Sequence, residues 1–262
     1  MILSSAASTA LEDVATELGD AQRWFQLYWW SDRELAGSLV DRAAAAGYGA
    51  IVVTLDTLTL GWRERDLGNG YLPFLRGEGL AQFFSDPLFR ARLDVPPEDD
   101  VQTASLMALA AFPNLALTWS DLDWLRARTE LPILVKGVLR GRRRAARAGA
   151  WCRRDRRLEP RRPPGRRLRS PRSTRSLEVR DEVGPEATVL MDGGIRRGAD
   201  ILKALALGAD AVLLGRLYAY GLAVGGAAGV EAVIRQLAAE LDLTMALAGV
   251  RSVRDLDRSL VT

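Results

Sequence analysis

The residues able to do chemistry in this chain stand at the ends of short apolar runs. Such runs finish at Ser4, at Gln26 and Tyr28, at Thr54 and Asp56, at Lys136, at Asp192-Gly193-Gly194 and at Gly215-Arg216. In parallel α/β folds, ligands bind where strands end, because turning loops and helix N-termini converge there. Any single ending of this kind also reads as ordinary strand-end solvation; six together point to a site. Within the set, Met191-Asp-Gly-Gly-Ile-Arg-Arg-Gly198 followed by Leu214-Gly-Arg216 has the chemistry of a phosphate site. Glycines after a strand let backbone N–H groups approach an anion, and the next helix adds its positive end. Arg196 and Arg216 supply forked hydrogen bonds to the same charge. Lys136 closes the run Leu131-Pro-Ile-Leu-Val135. A half-desolvated ammonium there needs an anionic or hydrogen-bonding partner, either a ligand or a strand-end carboxylate such as Asp56 or Asp192. No metal site is expected.

What is missing also bears on the chemistry. The chain of 262 residues contains no histidine, the usual general base near neutral pH. Lysine is almost as scarce, with Lys136 and Lys203 the only two. Arginine is concentrated instead: sixteen of the forty residues from Gly141 to Arg180 are arginine, against three acidic residues there. The block carries a net +13, and the rest of the chain, with 20 basic and 30 acidic residues, a net −10. Between Arg153 and Arg175 only Leu158 and Leu168 are large and apolar, so no strand can be drawn through it.

The elements that must position these residues alternate. Strands are expected at Ile2–Ser4, Trp24–Tyr28, Ile51–Asp56, Ile133–Lys136, Thr188–Asp192 and Ala211–Gly215, with helices between them, the pattern of a parallel α/β fold. Thr9-Ala-Leu-Glu12 and Ser31-Asp-Arg-Glu34 read as capping boxes, with Gly19 and Gly47 closing those helices. Further helices are expected over Ala199–Leu207 and Gly229–Leu241. Residues 72–114 break the rhythm with Pro73 and the acidic run Pro97-Glu-Asp-Asp100, and read as a partly helical, lid-like insertion over the strand ends. Length and 48% hydrophobic content suit one domain over residues 1–262. Cys152 is the single cysteine, so no internal disulfide forms. With neither a leader-like N-terminus nor an uncharged run of eighteen apolar residues, a soluble cytoplasmic product is expected.

Leu3-Ser-Ser5, Phe25-Gln-Leu-Tyr28, Val53-Thr-Leu-Asp56, Leu60-Gly-Trp-Arg-Glu64, Ile133-Leu-Val-Lys-Gly137, Leu190-Met-Asp-Gly-Gly-Ile-Arg-Arg197 and Leu214-Gly-Arg216, in that order, resemble the FMN-dependent 2-hydroxy acid dehydrogenases and oxidases. Gly70-Tyr-Leu-Pro-Phe-Leu-Arg-Gly-Glu-Gly79 and Phe84-Ser-Asp-Pro-Leu-Phe89 look most like the lid of lactate 2-monooxygenase-type members. The resemblance implies a (β/α)8 TIM barrel, FMN as cofactor, and oxidation of a small 2-hydroxy acid such as lactate with oxygen as acceptor. It also implies that Ser4, Gln26 and Thr54 contact the flavin ring and ribityl chain, and that Lys136 sits beside the ring N1 and C2 oxygen. Asp192, Gly193, Gly194, Arg196, Gly215 and Arg216 match the ribityl and phosphate site; Tyr28 and Arg63 match positions that hold the substrate's oxygen and carboxylate. A homo-oligomer is compatible with this reading.

Two departures from the family pattern stand out. After the Lys136 strand, relatives carry a strand ending in a Ser-Asn-His-Gly-Gly-Arg type motif, whose histidine is the base and whose arginine grips the substrate. Here residues 141–176 replace it, and the pattern resumes around Val183-Gly-Pro-Glu-Ala187. Such loss and recovery, filled with Arg, Pro, Gly and Ala, suggests a compensated frameshift, in the gene or in its sequencing. In addition, Met1 matches the middle of the family's second strand, so the expected barrel is incomplete, its first strand missing and its sixth disrupted, with 141–176 disordered. The catalytic residue set is therefore empty and the chain expected to be inactive. Competing readings are a non-catalytic flavin or phosphate binder built on the Asp192 to Arg216 segment and an arginine-rich nucleic-acid-binding arm.

Overall fold

The computed structural model describes residues 1–138 and 179–261; the expectations of disorder and of a disrupted strand over 141–176 fall on residues outside these. The described chain forms two compact units, one of residues 1–138 and one of residues 179–261.

The first unit is built on a parallel sheet in the order β1 (Ile2–Ser4), β2 (Trp24–Tyr28), β3 (Ile51–Thr54), β4 (Ile133–Lys136). Alternation decides its two faces. Because paired residues share a face and successive residues alternate, Leu3, Phe25, Leu27, Val53 and Val135 line one side, and all five are buried. That side packs on helices α1 (Leu11–Leu18), α2 (Arg33–Ala45) and α7 (Asp121–Arg128), whose Leu11, Leu35, Leu39, Val40 and Leu125 are also buried. Phe25 meets Tyr48 edge to face with ring centroids 5.8 Å apart. The opposite side receives Ser4, Gln26, Tyr28, Thr54 and Lys136. One period-2 pattern thus builds the core and collects the polar residues.

Helix boundaries differ from the expected capping boxes. Ala10 precedes α1 without a side-chain cap, and Thr9 gives its carbonyl to Gln82 Nε2 at 2.7 Å. Glu12, free of capping, pairs with Arg42 at 2.8 Å. Asp32, not Ser31, caps α2 by accepting from Leu35 N at 3.0 Å, since a carboxylate one residue later reaches the first-turn donors. Ser31 Oγ instead donates to Ala111 O at 3.0 Å. Gly19 does end α1, at φ 52°, while Gly47 at φ 73° follows Ala46, the residue that ends α2.

Between β3 and β4 the chain makes its excursion. It contains α3 (Glu64–Gly68) and then, within 72–114 where helical content is expected, a 3-10 turn (Pro73–Arg76), α4 (Ala81–Phe84), α5 (Pro87–Arg90) and α6 (Val101–Ala111). Two buried polar side chains pin it. Gln82 accepts from Leu11 N at 3.0 Å, and Asp86 caps α5 through Leu88 N at 2.9 Å while accepting from Ser38 Oγ at 2.7 Å. Trp30 stacks on Phe83 at 3.8 Å between ring centroids.

The second unit pairs β5 (Leu190–Asp192) in parallel with β6 (Ala211–Leu213). β5 starts two residues later than expected and β6 ends two residues earlier. Helix α8 (Gly198–Ala206) packs Ala204 with Ile195 and Ala209, and Met191, Ile201, Val212 and Leu214 close around them. Arg180 ties the unit's edge, donating to the carbonyls of Gly208, Gly184 and Ala187 at 2.8, 2.9 and 2.7 Å and to Asp210 at 2.6 Å. The stretch α9 (Arg216–Leu247) consists of two helical arms joined by a kink at Gly225 and Gly226, and the expected helix Gly229–Leu241 lies within the second arm. A Cβ on Gly229 would lie 2.0 Å from the carbonyl oxygen of Gly221, so glycine at both positions lets the two arms touch backbone to backbone. By length and composition alone the stretch, whose most apolar window has a mean hydropathy of 1.4 and is exposed, is long and apolar enough to cross a membrane, but the kink at Gly225 and Gly226 divides it. Glu231 and Arg235 interrupt that stretch, which is why a search for charge-free runs passes over it.

Candidate functional site

At the C-terminal ends of β1 to β3 a hydrogen-bonded row crosses the sheet. Ser4 Oγ donates to Gln26 Oε1 at 2.7 Å, and Gln26 Nε2 donates to Thr54 Oγ1 at 2.7 Å. Ser4 and Gln26 are register partners; Thr54 pairs with Tyr28, two residues beyond Gln26 on the same face. Gln26 is 7% exposed and Thr54 3%, so these polar groups are buried on a face they share with the apolar Val52 and Leu134. Burying an amide and two hydroxyls is tolerated because each is satisfied by the next. In this arrangement Thr54 accepts from Gln26 and keeps its own hydrogen for another acceptor.

Lys136 is the register partner of Thr54 and is half-buried, which extends the row by a cation. Behind it, Gly137 adopts φ 91°, and a Cβ there would fall 2.4 Å from Asp56 Cγ. Glycine is therefore required for the Asp56 carboxylate to lie against the end of β4. Tyr28 ends β2 with its ring 5.6 Å from that of Phe112, a residue of the excursion. Its backbone N–H donates to Ser5 Oγ at 3.0 Å. Ser5 is fully buried and fixes the loop after β1 to the end of β2; beyond its neighbour Ser4 no sequence signal marks it. Asn114, likewise not anticipated, donates to the carbonyls of Trp29 and Trp30 at 3.2 and 3.1 Å and holds the loop after β2. Arg63 stands apart from the row, exposed before α3, with Asp66 at 3.7 Å.

In the second unit, Asp192 ends β5 and is followed by Gly193 at φ 83° and Gly194 at φ 90°. Two successive left-handed residues turn the backbone N–H groups as only glycines do cheaply. Gly215 precedes α9 after the neighbouring parallel strand, with nothing within 4 Å of where a Cβ would be, and Arg216 opens the helix. Gly193, Gly194, Arg196, Gly215 and Arg216 are all exposed. Asp200 anchors the intervening turn, accepting from the backbone of Arg196 at 2.9 Å and of Arg197 at 3.0 Å. Glu240 accepts from Gly198 N at 2.9 Å, and this backbone donor at the head of α8 holds its carboxyl below the usual range. The expected pairing of glycine turns and arginines at consecutive strand ends is present within this unit.

The first unit holds buried polar groups with a lysine, chemistry suited to a heteroaromatic ring, and the second holds exposed glycine N–H groups with arginines, chemistry suited to a phosphate. These donor sets fit FMN.

Comparison with known proteins gives the same answer. A sequence profile of the FMN-dependent dehydrogenase family matches residues 1–151 and 164–262. The FMN-dependent alpha-hydroxy acid dehydrogenase qulF of Penicillium citrinum is 41% identical over 263 residues, covering 98% of this chain and 64% of that protein. An L-lactate oxidase of a Nostoc species is 41% identical over 272 residues, covering all of this chain and 70% of its own length. Among solved structures, a chimera of (S)-mandelate dehydrogenase superposes with a TM-score of 0.78 at 33% identity, covering 99% of this chain and 70% of that one. The chain spans 64% of the Penicillium relative's length. This chain belongs to the FMN-dependent dehydrogenase family, whose cofactor is FMN.

Proposed function

We propose that this chain is the scaffold of an FMN-dependent enzyme that oxidises a small 2-hydroxy acid such as lactate, and that in its present form it holds the cofactor without turning over. The observation that carries the reading is the Ser4–Gln26–Thr54 row, a line of buried polar side chains continued in register by Lys136. On this reading the six described strands are members of a (β/α)8 barrel. Ser4, Gln26, Thr54 and Lys136 hold the ring; Asp192, Gly193, Gly194, Arg196, Gly215 and Arg216 hold the ribityl chain and phosphate. Tyr28 orients the substrate's hydroxyl, and Arg63 draws its carboxylate once released from Asp66. The excursion over 72–114 acts as a lid.

Bound FMN supplies the two-electron acceptor that takes the α-hydrogen as hydride and passes the electrons to oxygen. The protein's own task is to receive the hydroxyl proton as the α-carbon becomes a ketone. The chain has no histidine for it. General-base assistance contributes roughly 10²- to 10⁴-fold, so turnover is expected to be lower by about that factor. The test is a titration of the full chain with FMN, followed through quenching of flavin fluorescence, alongside lactate-dependent oxygen consumption. Saturable FMN binding with negligible oxygen uptake is the expected result. Absence of FMN binding refutes the scaffold, and turnover like that of an ordinary oxidase refutes the inactivity.

A further inference from the structure

The last turn of the excursion between β3 and β4 is bolted to the strand ends. Ala111, the final residue of α6, receives hydrogen bonds at its carbonyl from Ser31 N and Ser31 Oγ, both at 3.0 Å. Asn114 N donates to Leu58 O at 2.9 Å, while its side chain donates to the carbonyls of Trp29 and Trp30 at 3.2 and 3.1 Å. Residues 111–114 are thereby joined to the loop after β2 and to the loop after β3. Pro113 has no N–H with which to continue α6, so the chain turns here. The turn is held on both sides, and any motion of the excursion is confined to residues before Ala111.

Phe112 sits inside this anchored turn, 8% exposed, with its ring 5.6 Å from that of Tyr28 and inclined to it at 49°. Tyr28 is the register partner of Thr54 and lies on the side of the sheet that carries Gln26 and Lys136. The excursion therefore delivers an apolar ring to the end of the polar row. A 2-hydroxy acid has two unlike ends: a hydroxyl and carboxylate that need polar partners, and an α-substituent that gains by leaving water. With Tyr28 on the oxygen, the substituent meets an aromatic boundary. A ring whose backbone is fastened on either side does not withdraw to admit a bulkier group.

We propose that Phe112 is a specificity-determining residue, a fixed wall that limits the substrate's α-substituent to a methyl or short alkyl group and turns away an aryl group. Asn114 is the positioning residue that keeps the wall in place. The inference deepens the proposed function and rests on its reading of Tyr28 as the residue that holds the substrate's oxygen. Every residue it invokes belongs to the first unit.

The test is read from binding, without turnover. The full chain loaded with FMN is titrated with two 2-oxo acids that have no α-hydrogen to give, pyruvate with a methyl group and benzoylformate with a phenyl group. The change in flavin absorbance gives each Kd. An apolar boundary of this kind discriminates by roughly 10-fold or more, so pyruvate is expected to bind the parent tighter by about that factor. Phe112→Ala is expected to tighten benzoylformate by about the same factor with FMN affinity unchanged, and Phe112→Leu, which keeps an apolar group in the packing, part of the way. Asn114→Ala should relax the preference although the ring is still there. A merely structural role would weaken both acids together and leave their ratio alone. Equal affinities in the parent overturn the inference, as does an unchanged ratio in Phe112→Leu and in any folded Phe112→Ala; an unchanged ratio in Asn114→Ala overturns its positioning role. If pyruvate binds but the ratio ignores Phe112, the wall alone fails. If FMN does not bind, or if it binds and neither acid alters its spectrum in any of these chains, the proposed function fails and the wall with it.

Discussion

Arg42 Nη1 lies 3.1 Å from Oδ2 of Asp86, a carboxylate whose side chain is 1% exposed, and this pair fastens the excursion between β3 and β4 to helix α2. The same guanidinium reaches Glu12 at 2.8 Å, Ser85 Oγ at 2.7 Å and the Gln82 carbonyl at 3.0 Å. Burial works against the charge on Glu12 and on Arg42, but their hydrogen bonds and mutual attraction outweigh it, so Glu12 titrates below the ordinary range and Arg42 above it.

Arg42→Ala is expected to destabilise the first unit by about 3–5 kcal/mol, because it strands the buried Asp86 charge. Ser38→Ala, which removes one neutral donor to the same carboxylate, is expected to cost about 1 kcal/mol. Urea unfolding of both variants measures the difference. Equal effects would mean that Asp86 does not depend on Arg42.

Gln26→Leu removes both links of the polar row and leaves the Ser4 and Thr54 hydroxyls without the amide. The expected loss is about 1–3 kcal/mol of stability, together with weakened FMN binding. Arg63→Ala, at an exposed position, is expected to leave unfolding within about 0.5 kcal/mol of the parent. Paired unfolding and flavin titrations separate the two cases.

Tyr48 is 1% exposed and donates to the Leu11 carbonyl at 2.9 Å. Burial raises its pKa from 10.0 to about 12, with the Glu12 charge adding to the shift and Arg23 opposing it. A folded pKa above the unfolded one favours the protonated form, so this contribution is complete below pH 10 and is lost as pH rises towards 12. Denaturation at a series of alkaline pH values should show that decline, and Tyr48→Phe should remove it. An unchanged alkaline slope in Tyr48→Phe would assign the decline elsewhere.

Gly229→Val forces apart the two arms of α9, since even a Cβ falls 2.0 Å from the Gly221 carbonyl oxygen. A cost of about 1–3 kcal/mol or more is expected, as for overpacking in a closed contact. Gly68→Ala, where a Cβ meets nothing within 4 Å, serves as the comparison and should be neutral or mildly stabilising. Circular dichroism melting curves decide between them.

Much of the first unit was legible because alternation along Phe25-Gln-Leu-Tyr28 and Val53-Thr54 sends apolar and polar residues to opposite faces, and that pattern is local. Ser4, Gln26 and Thr54 were singled out as polar residues closing short apolar runs. Contacts set over long separations were not legible. Gln82 capping Leu11, Asn114 bridging Trp29 and Trp30, and Asp86 gripping Arg42 depend on where the excursion lands, which no periodicity encodes. The helix expected over Gly229–Leu241 is found within the second arm of α9, while the arm before the Gly225-Gly226 kink was not anticipated. Arg63 lies beside Asp66, a pairing that one turn of α3 makes available.

The amide of Gln26 sits between two hydroxyls, each able to give or to take a proton. If the amide turned over, Thr54 would become the donor and Ser4 the acceptor, at the cost only of rotating two O–H bonds. A molecule that presents an acceptor there in one state and a donor in another could be accommodated with no movement of the main chain. A redox-active ring whose edge gains a proton on reduction places that demand on its host.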